Sequence, residues 1–295
     1  MAARNMRIGA NNKRVVSCLS FGLGNQLLQF AAGYTLSRRF NVPLDLDVSW
    51  YDRDPGQTAA RDLLLLRIIE DNAYRSLTRH SQFQLFQDRT LRFANMSWKR
   101  PFMNGLPIWS NGMEYSEPFD QIDRPVCITG VPDLSDHDGK RPEFLSKLSD
   151  GISRASDITP PDDAYAFVHI RLGDFTSDPK VARKMVQLSI DYYTAAMQKF
   201  EEHHGQTRWV LCSDDPQAAI DRLPRNFAIE QSDSHSEFDD LHIMSQSAGG
   251  VVANSTFSLW GGLLAQNNNG TVIAPKIWRS DGPGSPKLPE AWIRL

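Results

Sequence analysis

An α/β protein with parallel sheets in two domains is predicted by three features of the sequence. Beyond residue 164, short apolar runs alternate with helix-length segments, the rhythm of a parallel sheet with helices on both faces. Near the start, a β-prone run leads through a glycine turn and an amphipathic stretch into a second alternating run, which makes a βαβ unit. The chain has 295 residues, more than one hydrophobic core usually serves, so about two domains are expected.

The composition, 41% hydrophobic and 23% charged, is that of a globular protein. With 32 Lys and Arg against 35 Asp and Glu, the net charge is −3. No general field gathers nucleic acid or acidic membrane, and an anionic ligand has to be held locally. Cys18, Cys127 and Cys212 are far apart and odd in number, so they fit neither a metal-ligand spacing nor a disulfide framework and read as buried thiols. Met1 to Ala10 lacks the apolar centre of a signal peptide, and no run approaches the roughly 20 apolar residues of a membrane span. The expected location is cytoplasmic, with peripheral membrane association left open.

Taken in order, Val15 to Leu19 is a strand, Ser20 to Gln26 a glycine turn, and Leu27 to Leu36 the amphipathic helix. Gly22 and Gly24 allow close backbone approach, so amides opening the helix can face a phosphate or a sugar; a plain tight βα connection is the other reading. The third glycine of a dinucleotide fingerprint is replaced by Leu27, which disfavours an NAD-dependent dehydrogenase. Asn41 to Asp47 is the second strand, and Leu63 to Ile69 suggests a helix. Phe83, Phe86, Phe93, Trp98, Phe102 and Trp109 read as packing, with an acceptor-binding sugar platform as the alternative. Val126 to Val131 is a strand, and a helix begins near Pro142 to Leu148. Between Asp150 and Asp163 the chain becomes Ser-, Asp- and Pro-rich, and Thr159-Pro160-Pro161-Asp162-Asp163 resists both helix and sheet, which places the domain boundary at 160/161.

In the second domain, strands are expected at Ala164 to Ile170, Arg208 to Cys212, near Phe227, at Gly250 to Ala253 and at Thr271 to Ala274. Helices fall between them near Ser189 to Glu202, Pro216 to Arg222, Phe238 to Ser247 and Ser258 to Ala265. Ligands sit at the carboxyl ends of such strands. There the sequence offers His169, Arg171 and Asp174, then Ser213-Asp214-Asp215, then Asn254-Ser255-Thr256 opening a helix. Arginine matches a phosphate with a rigid fork, and a helix start adds amides and a favourable dipole, so these ends suit a nucleotide diphosphate. Ser and Thr at a helix start also serve as ordinary caps. Asp240, at the start of another helix, can accept from the N1 and N2 hydrogens of guanine or cap the helix. Asp214-Asp215 and Asp239-Asp240 are solvated or capping carboxylates, or a magnesium site.

Gly22-Leu23-Gly24-Asn25-Gln26-Leu27-Leu28-Gln29-Phe30-Ala31, His169-Ile170-Arg171-Leu172-Gly173-Asp174-Phe175, Ser213-Asp214-Asp215, Asn254 to Gly261 and Ile273 to Trp278 occur in this order. Together they resemble the α-1,2-fucosyltransferases of glycosyltransferase family 11. The resemblance implies a GT-B-like enzyme with two Rossmann-like domains facing a central cleft, residues 1–160 on the acceptor side and 161–295 binding the GDP-sugar. It implies transfer from GDP-β-L-fucose to a galactose-terminated oligosaccharide, with inversion, without a cofactor and without a required metal. Arg171 would neutralise the leaving diphosphate, His169 would hold the nucleotide, and Asp240 would read guanine. Asn254, Ser255, Thr256 and Ser258 would line the phosphates, Asp214 would belong to the same donor-binding set, and Gly22, Gly24, Asn25 and Gln26 would close the donor site. Asp174 and Asp178 are the candidates for a base, with Asp174 alternatively bracing Arg171. Leu172 stands where relatives commonly carry a second arginine, Leu28 where they carry an aromatic residue, and Leu259 where they carry a tryptophan. A non-catalytic GDP-sugar or glycan-binding protein, or a fucosyltransferase of another linkage, is the competing expectation.

Overall fold

In the computed structural model, residues 13–52, 61–78, 102–103, 106–109, 125–130, 141–173, 182–280 and 288–295 are described. The chain divides into two compact units, one of residues 1–65 and 70–137, the other of residues 66–69 and 138–295.

The first unit is built on a sheet of order β3-β2-β1-β6-β5-β4. Its strands are β1 (Val15–Cys18), β2 (Leu44–Asp47), β3 (Ser76–Thr78), β4 (Phe102–Met103), β5 (Leu106–Trp109) and β6 (Val126–Ile128). All pairs are parallel except β4 with β5. Every residue of β1 and β2 is buried, including the aspartates of Leu44-Asp45-Leu46-Asp47. Buried carboxylates need partners. Asp45 accepts from Arg75 Nε at 2.9 Å and Ser76 Oγ at 2.8 Å, and Asp47 from the Ser49 amide at 3.0 Å. Helix α1 (Leu23–Phe40) joins β1 to β2 and stops at Asn41, which is left-handed at φ 51°, with Arg38 and Arg39 complementing the dipole of the last turn.

The second unit carries six parallel strands in the order β12-β11-β10-β7-β8-β9. They are β7 (Ala166–Ile170), β8 (Arg208–Ser213), β9 (Ala228–Gln231), β10 (Gly249–Val251), β11 (Thr271–Ala274) and β12 (Ile293–Arg294). Counted from β7, this is the doubly wound order 3-2-1-4-5-6, whose direction reverses between β7 and β10. The helices are α2 (Arg141–Ala155), α3 (Ile190–His204), α4 (Pro216–Ile220), α5 (Glu237–Gln246) and α6 (Thr256–Asn267). Four of them open on a side-chain cap: Ser189, Asp215, Ser236 and Ser255 accept from the amide three residues on. Ala166, Val168 and Ile170 alternate along β7 into a layer with Tyr193, Met197 and Phe200 of α3. Helices α2, α5 and α6 pack on one another.

Several elements differ from the sequence expectation. Helix α2, assigned by composition to the first domain, buries Leu145, Leu148 and Ile152 and packs on α5 and α6. Ser156 and Asp157 beyond it are tied to Asp239, so the polar stretch is anchored rather than a linker. Leu63 to Ile69 forms only the short 3₁₀ turn Leu65–Arg67, with the Leu64 and Leu65 amides donating to Gln26 Oε1. The short edge strands β3 and β12 were not anticipated. Among the described residues, no helix is long and apolar enough to cross a membrane.

Candidate functional site

The reversal between β7 and β10 brings two strand ends together, and the sequence-predicted charges lie beside it. In the β7–β8 ladder Ile170 stands opposite Ser213, so Arg171 and Asp214 leave the sheet side by side. Arg171 Nη1 lies 3.2 Å from Asp214 Oδ2, and Asp214 Oδ1 accepts from the Leu172 amide at 2.8 Å. The side chains are 20% and 23% exposed, buried enough to hold a geometry and open enough to meet a ligand. Gly173 is part of the arrangement, since a Cβ there would sit 2.3 Å from Asp214 Oδ2. Asp214 is thus first of all the carboxylate that orients Arg171, the bracing role the sequence offered to Asp174. Asp174 and Asp178 lie outside the described residues. Leu172 is buried in the apolar layer with Tyr193 and Leu211, so that position contributes packing rather than charge.

His169, on the opposite face of β7 from that layer, is 2% exposed, its ring 5.5 Å from that of Phe257. Burial, reinforced by the Arg171 guanidinium, pushes its pKa down to about 3, so the imidazole is neutral near pH 7. Its Nδ1 is shut from solvent without a hydrogen-bond partner. An unsatisfied buried nitrogen costs free energy that a bound ligand can recover.

Across the reversal, β10 runs into α6. Ser255 caps the helix through the Ser258 amide at 3.1 Å, while the Thr256 and Phe257 amides open it. Thr256 remains half-buried at the helix start. Asn254 and Ser258, expected among the phosphate ligands, are committed inward. Asn254 Nδ2 donates to the carbonyls of Val186 at 2.7 Å and Trp278 at 2.9 Å, and Ser258 Oγ accepts from the Ala253 amide at 2.8 Å. Both build the turn that aims the helix. A polar residue at a helix start reads alike in sequence whether it faces a ligand or the protein.

Asp240 lies at the start of α5. Burial pushes its pKa up to about 6 despite hydrogen bonds with Ser234 and Cys212, and Oδ1 is shut away with no partner. Its neighbour Asp239 is satisfied by Ser156 Oγ at 2.8 Å and by the Asp157 and His235 amides at 2.9 and 3.0 Å. Two adjacent carboxylates therefore differ: Asp239 is a structural tie, while Asp240 keeps one buried oxygen without a hydrogen-bond partner. The magnesium alternative loses ground at both pairs, because Asp214 is held by Arg171 and Asp215 caps α4 through the Ala218 amide at 3.2 Å.

In the first unit, Gly22 caps α1 without a side chain, and a Cβ built on it meets nothing within 4 Å. Gly24 is buried and Asn25 half-buried on the first turn. Gln26, expected at the donor, is fully buried and spent: Nε2 donates to the carbonyls of Phe21 and Asp62, and Oε1 accepts from the Leu64 and Leu65 amides. Gln29 does similar work with the Ser20 amide and the Gly130 carbonyl. The clamp between helix and loops had no signal in the sequence beyond two glutamines on an apolar helix.

The family model described as glycosyl transferase family 11 matches residues 156–291, from the approach to β7 to just short of β12. Over that stretch the chain is similar to glycosyl transferase family 11. Two Escherichia coli proteins resemble this chain over 95% of its length at 24% identity. They are the O-antigen biosynthesis glycosyltransferase WbnK, covered over 99% of its own length, and an alpha-1,2-colitosyltransferase, covered over 98%. Among solved structures, the fucosyltransferase NodZ from Bradyrhizobium aligns over 86% of this chain and 92% of its own, with 14% identity and a TM-score of 0.45.

Proposed function

We propose that this chain is a glycosyltransferase of family 11 that moves L-fucose from GDP-β-L-fucose to the 2-hydroxyl of a terminal galactoside, with inversion and without a required metal. One observation carries the donor half of the reading. Around a single reversal point lie an oriented guanidinium at Arg171, a helix opening at Ser255-Thr256 and, on α5, a buried carboxylate oxygen at Asp240 with no partner. The first two fit a diphosphate. The third fits the paired N–H donors of guanine. As the sugar–phosphate bond lengthens, negative charge gathers on the β-phosphate, and preorganised donors at Arg171 and the start of α6 stabilise it. The neutral His169 offers a ligand group that adds no charge. A carboxylate taking the acceptor proton would contribute roughly 10² to 10⁴-fold, and Asp174 and Asp178 are the candidates in this sequence.

The linkage draws support from the resemblance to an alpha-1,2-colitosyltransferase, and the same relative motivates a second donor reading, since colitose is L-fucose lacking the 3-hydroxyl. Purified protein offered lactose with GDP-fucose or with its 3-deoxy counterpart, followed by linkage analysis by NMR, decides between the donors. Arg171→Ala should remove turnover while leaving the fold intact. GDP binding without transfer to any galactoside acceptor would favour the non-catalytic binding protein instead.

A further inference from the structure

We infer that the first unit presents a sugar-stacking platform, formed by Trp50 and Phe21 beside Asn25, that takes the terminal galactose ring of the acceptor. The inference deepens the proposed function and rests on its galactoside acceptor. Phe21 lies three residues past Cys18, the end of β1, and Trp50 three past Asp47, the end of the neighbouring β2. Both loops therefore rise at the carboxyl edge of adjacent parallel strands, where ligands of such sheets bind. The two rings are 5.3 Å apart at 48°, and Tyr51 meets Trp50 edge-on at 4.9 Å.

Among the described residues, Phe21 is one of three other than glycine with positive φ, at 65°. Such a conformation persists only when its surroundings enforce it. Here they do: the Phe21 carbonyl accepts from the Tyr51 hydroxyl at 2.8 Å and from Gln26 Nε2 at 2.9 Å. The consequence is a half-buried phenyl set against a half-buried indole. Next in the chain, the space a Cβ on Gly22 would enter is empty. On the same turn, the half-buried Asn25 carries an amide side chain with no hydrogen-bond partner among the described residues.

Half-buried aromatics often only pack, but the combination here has two faces of different chemistry. Galactose offers a matching pair: one face made of the C3, C4 and C5 hydrogens, whose positive edges suit the negative face of an aromatic ring, and a rim of hydroxyls that both donate and accept. An amide does the same from one side chain. Asn25 is thereby assigned to the acceptor rather than to the donor, and linkage choice falls to how the platform presents the 2-hydroxyl.

Direct binding to the full chain tests this without relying on turnover. GDP affinity is measured by calorimetry and lactose affinity by saturation-transfer NMR, for wild type, Trp50→Ala, Trp50→Phe and Asn25→Ala. Wild type should transfer saturation to galactose H3, H4 and H5. Trp50→Ala should weaken lactose by about tenfold or more, Trp50→Phe should recover most of that loss, Asn25→Ala should weaken it several-fold, and GDP affinity should not change in any of them. Unchanged lactose affinity in Trp50→Ala overturns the platform, as does a wild type that binds GDP but not lactose. Failure of wild type to bind GDP would instead sink the donor reading, and the lactose measurement would still decide the platform. If Trp50→Ala does not fold, Trp50→Phe and Asn25→Ala carry the test.

Discussion

The Arg171–Asp214 pair matters for geometry more than for stability. A partly exposed ion pair stabilises a fold by roughly 0–1 kcal/mol, but here the carboxylate also holds the Leu172 amide and fixes where the guanidinium points. Asp214→Asn should therefore leave the melting temperature within a few degrees of wild type and lower kcat by roughly 10 to 100-fold, and steady-state kinetics beside thermal melts would expose a purely structural role. Asp240 behaves oppositely. Its carboxyl stays protonated up to about pH 6, against 3.8 for an ordinary aspartate. Between about pH 4 and pH 6 the folded chain holds a proton the unfolded chain has released, so this group's contribution to stability falls as pH rises. Above that window the cost is at most roughly 3 kcal/mol. Asp240→Asn should thus melt higher than wild type at pH 7, lose that advantage near pH 4, and bind GDP roughly a hundredfold more weakly. Wild-type GDP affinity should rise from pH 5 to pH 7 as the carboxylate ionises; a flat profile would remove Asp240 from the guanine site.

At the level of elements, much of the second sheet was legible because buried parallel strands write themselves as apolar runs and each intervening helix opens on a capping residue. Ala166-Phe167-Val168-His169-Ile170 could hardly be anything else. What could not be read was the direction of polar side chains. Gln26, Asn254 and Ser258 sit at loops and helix openings that resemble ligand sites, and the fold spends all three on its own backbone. The edge strands β3 and β12, of three and two residues, fall below any periodicity signal. Gln26 gives the sharpest test of the inward reading. Gln26→Ala strips partners from two carbonyls and two amides at once and should destabilise the first unit by roughly 2–4 kcal/mol. Hydrogen exchange at Leu64 and Leu65 would accelerate; unaltered protection there would return Gln26 to the list of ligand candidates.

For the whole molecule, the division into units does not follow the order of the chain. Residues 66–69 belong with the second unit, where the Arg67 guanidinium lies 4.6 Å from the centre of the Phe238 ring and Ile68 is 2% exposed. Gly151 of α2 makes room for them: a Cβ there would stand 1.9 Å from the Ile68 carbonyl oxygen. Gly151→Ala should cost roughly 2–4 kcal/mol by forcing the segment off α2. The loss should appear as faster exchange in α2 and α5 while β1 and β2 keep their protection, and uniform loosening of both sheets would contradict this partition.

The strand order also sets a timetable. β7 is central, buried along its whole length, and made first among the strands of its sheet, yet its two neighbours lie at residues 208–213 and 249–251. As the chain leaves the ribosome, β7 must wait for roughly 40 further residues on one side and 80 on the other, a delay that exposes its apolar faces to misassociation. Arg171 is synthesised early, but the α6 opening across the same reversal arrives only after Ser255. A nascent or truncated chain ending at residue 248 would hold both Arg171 and Asp240 and still lack the α6 opening of the proposed diphosphate cradle.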